Sequence, residues 1–265
     1  MILSSGTKRP KIHSSAYVAP TATIAGDVTI GAECAVLHGA VITSEGAAVT
    51  IGAHTVIMEN AVLKASGGSV VQFPLSIGDR CIVGPHAYVV GATIGDGCFV
   101  ASGAKIFNGA TLEDGSGVAL EAIVHVKARL KPGQSVPMLH IAYGNPATIA
   151  PPEKAPEIHA KLNFYADVFN LEPGDDVRAR AAETYAKFLR KAHAQDTTLE
   201  EHRTRQPERT RGAQAPLGAT RAMRSGEEPP PTQATQVDKV VDVMMLELEE
   251  MEQRRQQAIK RQKGS

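Results

Sequence analysis

Tryptophan is absent from the 265-residue sequence, and aromatic residues make up only 4% of it. Large rings dominate most globular cores, so the interior here must be built from something smaller. Lys and Arg number 28, and so do Asp and Glu. A formal charge of zero supplies no global field for nucleic acid or an anionic membrane, and neither is expected as a partner. No apolar run is long enough to span a bilayer, and MILSSGTKRPKIHSS lacks a charged-then-apolar leader pattern, so a cytoplasmic location is the expectation. Cys34, Cys81 and Cys98 form no CxxC pair, which argues against a zinc-finger or disulfide framework. They read as small buried hydrophobes.

What the sequence does have is a period of six. Aliphatic residues stand at Ile94, Val100, Ile106, Leu112, Val118, Val124, Leu130 and Val136. Four places after the first six of these come Cys98, Ala104, Ala110, Ser116, Ala122 and Ala128. This spacing matches neither the helical period of about 3.6 nor the alternation of one strand. It marks an all-β solenoid, a parallel β-helix of hexapeptide repeats in which each hexad makes one short strand and corner. Coils of this type are left-handed, against the usual crossover rule.

The same pattern starts at Val18 and continues through Ile24, Ile30, Val36 and Ile42. It slips over Thr43 to Thr50, resumes at Ile51, Ile57 and Leu63, and is interrupted by the longer loop Lys64 to Ser76. From Ile77 it passes through Val83 and Val89, and the step from Val89 to Ile94 is one residue short. Three hexads per turn give about six to seven turns. A coil stacked in one dimension needs its ends capped.

These features divide the chain into a lead-in segment (1–17), the β-helix (18–150), a helical cap (151–194), a disordered linker (195–236) and an amphipathic helix (237–263). Pro146, Pro151, Pro152 and Pro156 end regular strand pairing. Glu157 to Leu171 and Asp175 to Ala194 then carry apolar stripes of helical spacing, broken by Glu172, Pro173 and Gly174, with Asp175 as N-cap. The linker has few large apolar residues. Val237, Val241, Met244, Leu248 and Met251 form an a/d seam too short to hold chains together alone, suited to docking on a protein partner or to assisting an oligomer already formed by the coil.

The run IGDRCIVGPHAYVVGATIGD, followed by VASGAKIFNGATLEDG and AYGNPATI, resembles the gamma-class carbonic anhydrases over roughly Val18 to Ile149. That resemblance implies a homotrimer, with zinc held by three histidines between adjacent subunits. The three ligand positions fall on Lys64, Pro85 and Val90. Positions of the family's arginine, asparagine and glutamine fall on Thr43, Val56 and Met58, those of its aspartates on Glu45 and Glu59, and Asn108 is kept. A site whose ligands and supporting groups are both replaced is expected to bind no metal, and no other cofactor is expected. Glu45, Met58, Glu59, Lys64, His86 and Asn108 remain as a candidate intersubunit cleft.

Two further resemblances bear on function. GNPAT at Gly144 to Thr148 is similar to the GNPAK turn of hexapeptide acyltransferases, with Thr148 in place of the lysine. That chemistry needs a general base, for which His86 is the candidate. Zinc-free β-helices of like construction also occur as assembly subunits of the dynactin pointed end. The sequence alone thus points to a trimeric, zinc-free binding or assembly module. The alternatives are acyl-CoA-dependent transfer, or a carbonic anhydrase with a rearranged metal site.

Overall fold

The computed structural model describes residues 1–67 and 71–199. Within them the chain winds into a left-handed parallel β-helix whose strands form three sheets. The first sheet runs in parallel from Ile2–Ser5 through Thr23–Ala25, Val41–Ser44, Val62–Gly67, Tyr88–Val90, Lys105–Ile106 and Ile123–Val124 to Ile141–Tyr143. The second spans Lys11–Ile12 to Arg129–Leu130, and the third Tyr17–Val18 to Ser135–Val136, with seven strands each.

Strand pairing converts the six-residue period into columns. On the second sheet Ile12, Ile30, Ile51, Ile77, Ile94, Leu112 and Leu130 pair in register, each with the next. Every turn therefore places one aliphatic residue beneath another. From Ile30 on, these residues are at most 2% exposed, and each contributes on the order of 1.5–3 kcal/mol by leaving water. Narrow turns leave no room for rings at these positions, which accounts for the scarcity of aromatics. The slip at Thr43 to Thr50 and the loop Lys64 to Ser76 are absorbed without loss of register.

The glycine that follows Ile51, Ile77 and Ile94 has a steric cause. A Cβ on Gly52, Gly78 or Gly95 would lie 2.3 Å from Oδ1 of Asp79, Asp96 or Asp114 respectively, one turn further on. Those carboxylates accept the backbone N–H of Ala53, Asp79 and Asp96 at 2.7–2.9 Å. Glycine clears the corner so that the next turn's aspartate can bond it.

A second ladder runs inside the coil. Cys34 donates to the carbonyl of Gly52 (2.9 Å), Thr55 to Gly78 (2.9 Å), Cys81 to Gly95 (3.1 Å), Cys98 to Glu113 (3.3 Å) and Ser116 to Lys131 (3.1 Å). The cysteines are buried, as expected, but they are also hydrogen-bond donors that share one column with Thr55 and Ser116. Burial pushes the Cys34 thiol up.

Several boundaries differ from the sequence reading. The lead-in segment 1–17 is already coil, because Ile2–Ser5 pairs in parallel with Thr23–Ala25 and Lys11–Ile12 with Val28–Ile30. The first sheet consequently has eight parallel strands rather than the expected six to seven turns' worth. Ile141–Tyr143 folds back on Thr148–Ala150 in antiparallel pairing, so the GNPAT turn closes a hairpin. Asp196–Leu199, assigned to a disordered linker, is a strand antiparallel to Ile2–Ser5 and covers the first edge of the coil. The rest of that linker and the 237–263 helix lie outside the described residues.

Beyond the hairpin come helix α1 (Ala155–Lys161), α2 (Phe164–Phe169) and α3 (Val177–Ala192). Ile158 of α1 buries against Ile141 and Ala150. Asn163 caps α2 by accepting the N–H of Ala166 (3.1 Å), and Asn170 ends it in the left-handed conformation. The N-cap of α3 is Asp176, one residue after the expected Asp175.

Replacing Gly78 with alanine should cost about 1–3 kcal/mol through the clash at Asp96. Urea unfolding monitored by far-ultraviolet dichroism measures this, and an unchanged midpoint would refute the steric account of that glycine.

Candidate functional site

Strand Val62–Gly67 turns Leu63 into the core and leaves Lys64 outside. Lys64 pairs in register with Val90 on the next strand and with Thr43 on the preceding one. Glu45 follows strand Val41–Ser44, held by its N–H to the carbonyl of Ala65 (3.1 Å). Helix α3 passes over this corner. Lys64 Nζ lies 2.7 Å from Glu45 Oε2 and donates to the Tyr185 hydroxyl at 2.7 Å. Tyr185 in turn donates to Glu45 Oε2 at 3.0 Å, closing a three-membered ring of hydrogen bonds.

The electrostatics follow from that ring. Burial opposes the charge on Lys64, but its bonds to Glu45 and Tyr185 outweigh the opposition and hold its pKa above the ordinary lysine value. Burial likewise pushes the Tyr185 hydroxyl up, keeping it protonated as a donor. His193 Nε2 lies 3.9 Å from Glu45 Oε1, and His193 Nδ1 is 2.7 Å from Asp196 Oδ2. The network thus runs from the coil through α3 to the strand that covers its first edge.

Next to this cluster, α2 and α3 enclose a cavity of about 260 Å³ against the first sheet. Its walls include Tyr88, Phe107, Phe164, Phe169, Tyr185 and Phe188, with Lys64, Ser66, Asn108, Asn170 and Thr184 as polar members. Asn108 is 4% exposed and donates to Ser66 Oγ. Lys127 bonds Asp167 at 2.6 Å and ties α2 to the coil.

The candidate residues separate into groups within one chain. Glu45 and Lys64 are bonded to each other, Val90 is the register partner of Lys64, and Lys64, Val90 and Asn108 share the cavity. Pro85 and Met58 line a different, shallow depression with Phe99, Leu120 and Met138. Glu59 and His86 meet at a stacked corner, where the His86 N–H donates to the Glu59 carbonyl at 3.0 Å. His86 is exposed and in the left-handed conformation there. Tyr185 falls within the stretch 175–194 that the sequence marks only as an apolar helical stripe, so its hydroxyl is not singled out there as a polar group. The available signal was a Tyr in that stripe together with opposite charges at Glu45 and Lys64.

Comparison with known proteins agrees with this architecture. The family described as "hexapeptide repeat of succinyl-transferase" matches residues 74–108. "Gamma carbonic anhydrase 1, mitochondrial" from Arabidopsis thaliana is 27% identical over 194 residues, covering 71% of this chain and 68% of that protein. "Gamma carbonic anhydrase 2, mitochondrial" from the same plant is 26% identical over 144 residues, covering 53% of this chain and 49% of its own length. Both names carry a compartment other than the cytoplasmic one expected from the sequence. Among solved structures, a hexapeptide transferase family protein from Anaplasma phagocytophilum is 20% identical, covering 70% of this chain and 92% of that one at a TM-score of 0.39. A perosamine N-acetyltransferase from Caulobacter crescentus is 24% identical, covering 51% and 57% at a TM-score of 0.32. TM-scores below 0.5 carry no weight on function. By its coil and its sequence similarity, the chain is a hexapeptide-repeat protein resembling the gamma-class carbonic anhydrases. Among the described residues no helix is long and apolar enough to cross a membrane.

The two raised pKa values set a pH window. Both Lys64 and Tyr185 bind their protons more tightly folded than unfolded, so their contribution is complete below about pH 10 and is lost as pH rises through the folded values. The melting temperature should therefore fall as the pH rises above about 10, with a shallower fall in Tyr185→Phe. Identical profiles for the two proteins would refute the coupling.

Proposed function

We propose that this chain is a non-catalytic, trimeric binding or assembly module built on a carbonic-anhydrase-like coil. One observation carries the reading. At the position that the resemblance gives to the first zinc-binding histidine stands Lys64, bonded to Glu45 and to Tyr185 from α3. The residues there do not fit a zinc ion. A protonated ammonium has no lone pair to give, and its register partner Val90 has no donor atom. The surrounding carboxylate, Glu45, is already engaged by two hydrogen bonds.

Surface composition supports assembly through one face. The second sheet presents Lys11, Thr29, Thr50, Ser76, Thr93, Thr111 and Arg129 outward, a polar surface suited to water. The third presents Tyr17, Ala35, Val56, Ile82 and Phe99, of which Tyr17, Ile82 and Phe99 are 40–50% exposed. Self-association would bury this apolar strip. It would also bring the Pro85 and Met58 depression of one subunit toward a neighbour. The a/d seam at 237–251 is the segment we assign to a protein partner.

The purified chain should sediment as a trimer, hold no stoichiometric zinc by elemental analysis, and leave CO2 hydration at the uncatalysed rate. Stoichiometric zinc with activity would overturn the proposal. Saturable acetyl-CoA binding by calorimetry would favour acyl transfer instead.

A further inference from the structure

The whole chain has six Phe and five Tyr, yet Tyr88, Phe107, Phe164, Phe169, Tyr185 and Phe188 line a single cavity. The hexad columns use aliphatic residues, so this concentration of rings serves the space between coil and helices. The rings are mutually ordered. Phe169 meets Tyr185 edge-on at 5.7 Å between centroids, Tyr185 stacks on Phe188 at 6.4 Å, and Tyr88 lies 6.2 Å from Phe107. At about 260 Å³, the space lies just under the usual range of small-molecule sites, roughly 300–1,000 Å³.

The polar members narrow the ligand's chemistry. Lys64 is the cavity's cation, but Glu45 at 2.7 Å already answers its charge, so an anion gains little there. An ammonium has three N–H donors, and Glu45 and Tyr185 engage two of them. Asn108 donates its amide N–H to Ser66 Oγ and also lines the cavity. A donor and an amide edge set among aromatic rings match a flat ring that carries a carbonyl and an N–H.

We propose that this cavity binds a neutral one- or two-ring aromatic compound bearing a carboxamide or similar carbonyl group. The rings would sandwich the ligand's ring, Lys64 would donate to its carbonyl, and Asn108 would pair with its amide. This site goes beyond the assembly reading and does not depend on it, since metal content and CO2 hydration report on that reading separately.

The test uses the full-length chain with benzamide as probe, titrated by calorimetry and by ligand-observed NMR, with benzoate as the charged counterpart. Benzamide should bind saturably with a Kd of about 1 mM or tighter, as expected of a ligand this small, and benzoate at least about fivefold more weakly, because Lys64 is already paired. Asn108→Ala should weaken benzamide about tenfold by removing the amide's partner. Val90→Phe, which fills the floor, should abolish binding while leaving the far-ultraviolet spectrum unchanged. Should Val90→Phe fail to fold, Asn108→Ala decides alone. Absence of benzamide binding at 10-fold above that Kd would overturn the proposal, as would affinity indifferent to Asn108→Ala or tighter binding of benzoate. A cavity filled by another part of this chain or by a neighbouring subunit would appear as the first of these.

Discussion

Each turn of the coil is held in place by the turn beside it, and that stacking is the constraint on which every other feature depends. A column such as Ile30, Ile51, Ile77 and Ile94 stays dry only if each turn returns the same side chain to the same place. Extra residues must therefore leave the coil at a corner rather than stretch a strand. Ser66 and Gly67 do this by pairing back on Phe73 and Gln72, while Lys64 and Ala65 remain in the first sheet and Leu75–Ile77 in the second. Interior polar groups obey the same rule, since the Cys34, Thr55, Cys81, Cys98 and Ser116 side chains all bond a carbonyl one turn on.

Because stacking fixes the corners, the outer surface can vary without risk to the fold. One face is a row of Thr and Ser, one is apolar, and one carries the helices. The third of these is where the chain departs most from a bare coil. Lys64, Glu45 and Tyr185 join the first sheet to α3, while Ser5 Oγ donates to the Ala192 carbonyl at 3.0 Å near the helix's end. A charged pair that is mostly out of water is costly unless its remaining hydrogen-bonding capacity is used. The tyrosine hydroxyl meets that need by accepting from one partner and donating to the other. Lys64 and Glu45 are also the positions that the resemblance gives to a zinc ligand and to one of its aspartates, so on the proposed reading the contacts that dock the helix take the place of that chemistry.

Much of the coil was legible in the sequence because a hexad is a local unit. The period from Ile94 to Val136, the slip at Thr43 and the short step after Val89 all reappear as strand register. What could not be read depended on distance along the chain. Tyr185 reaches Lys64 across 121 residues and Glu45 across 140, and periodicity carries no information over such spans. The strand Asp196–Leu199 has a polar, short sequence and forms only because Ile2–Ser5 offers an open edge. Of the candidate cleft, Glu45 and Lys64 are bonded to each other, and Lys64 and Asn108 line one cavity together with Val90, one of the three zinc-ligand positions. Met58, Pro85, Glu59 and His86 lie on other corners of the same chain.

The central claim is that the Lys64–Tyr185 contact couples the helical cap to the coil. A double-mutant cycle of Lys64→Met and Tyr185→Phe in urea unfolding addresses it directly. The account predicts a coupling energy of about 1 kcal/mol or more. Effects that add to within about 0.3 kcal/mol would contradict it.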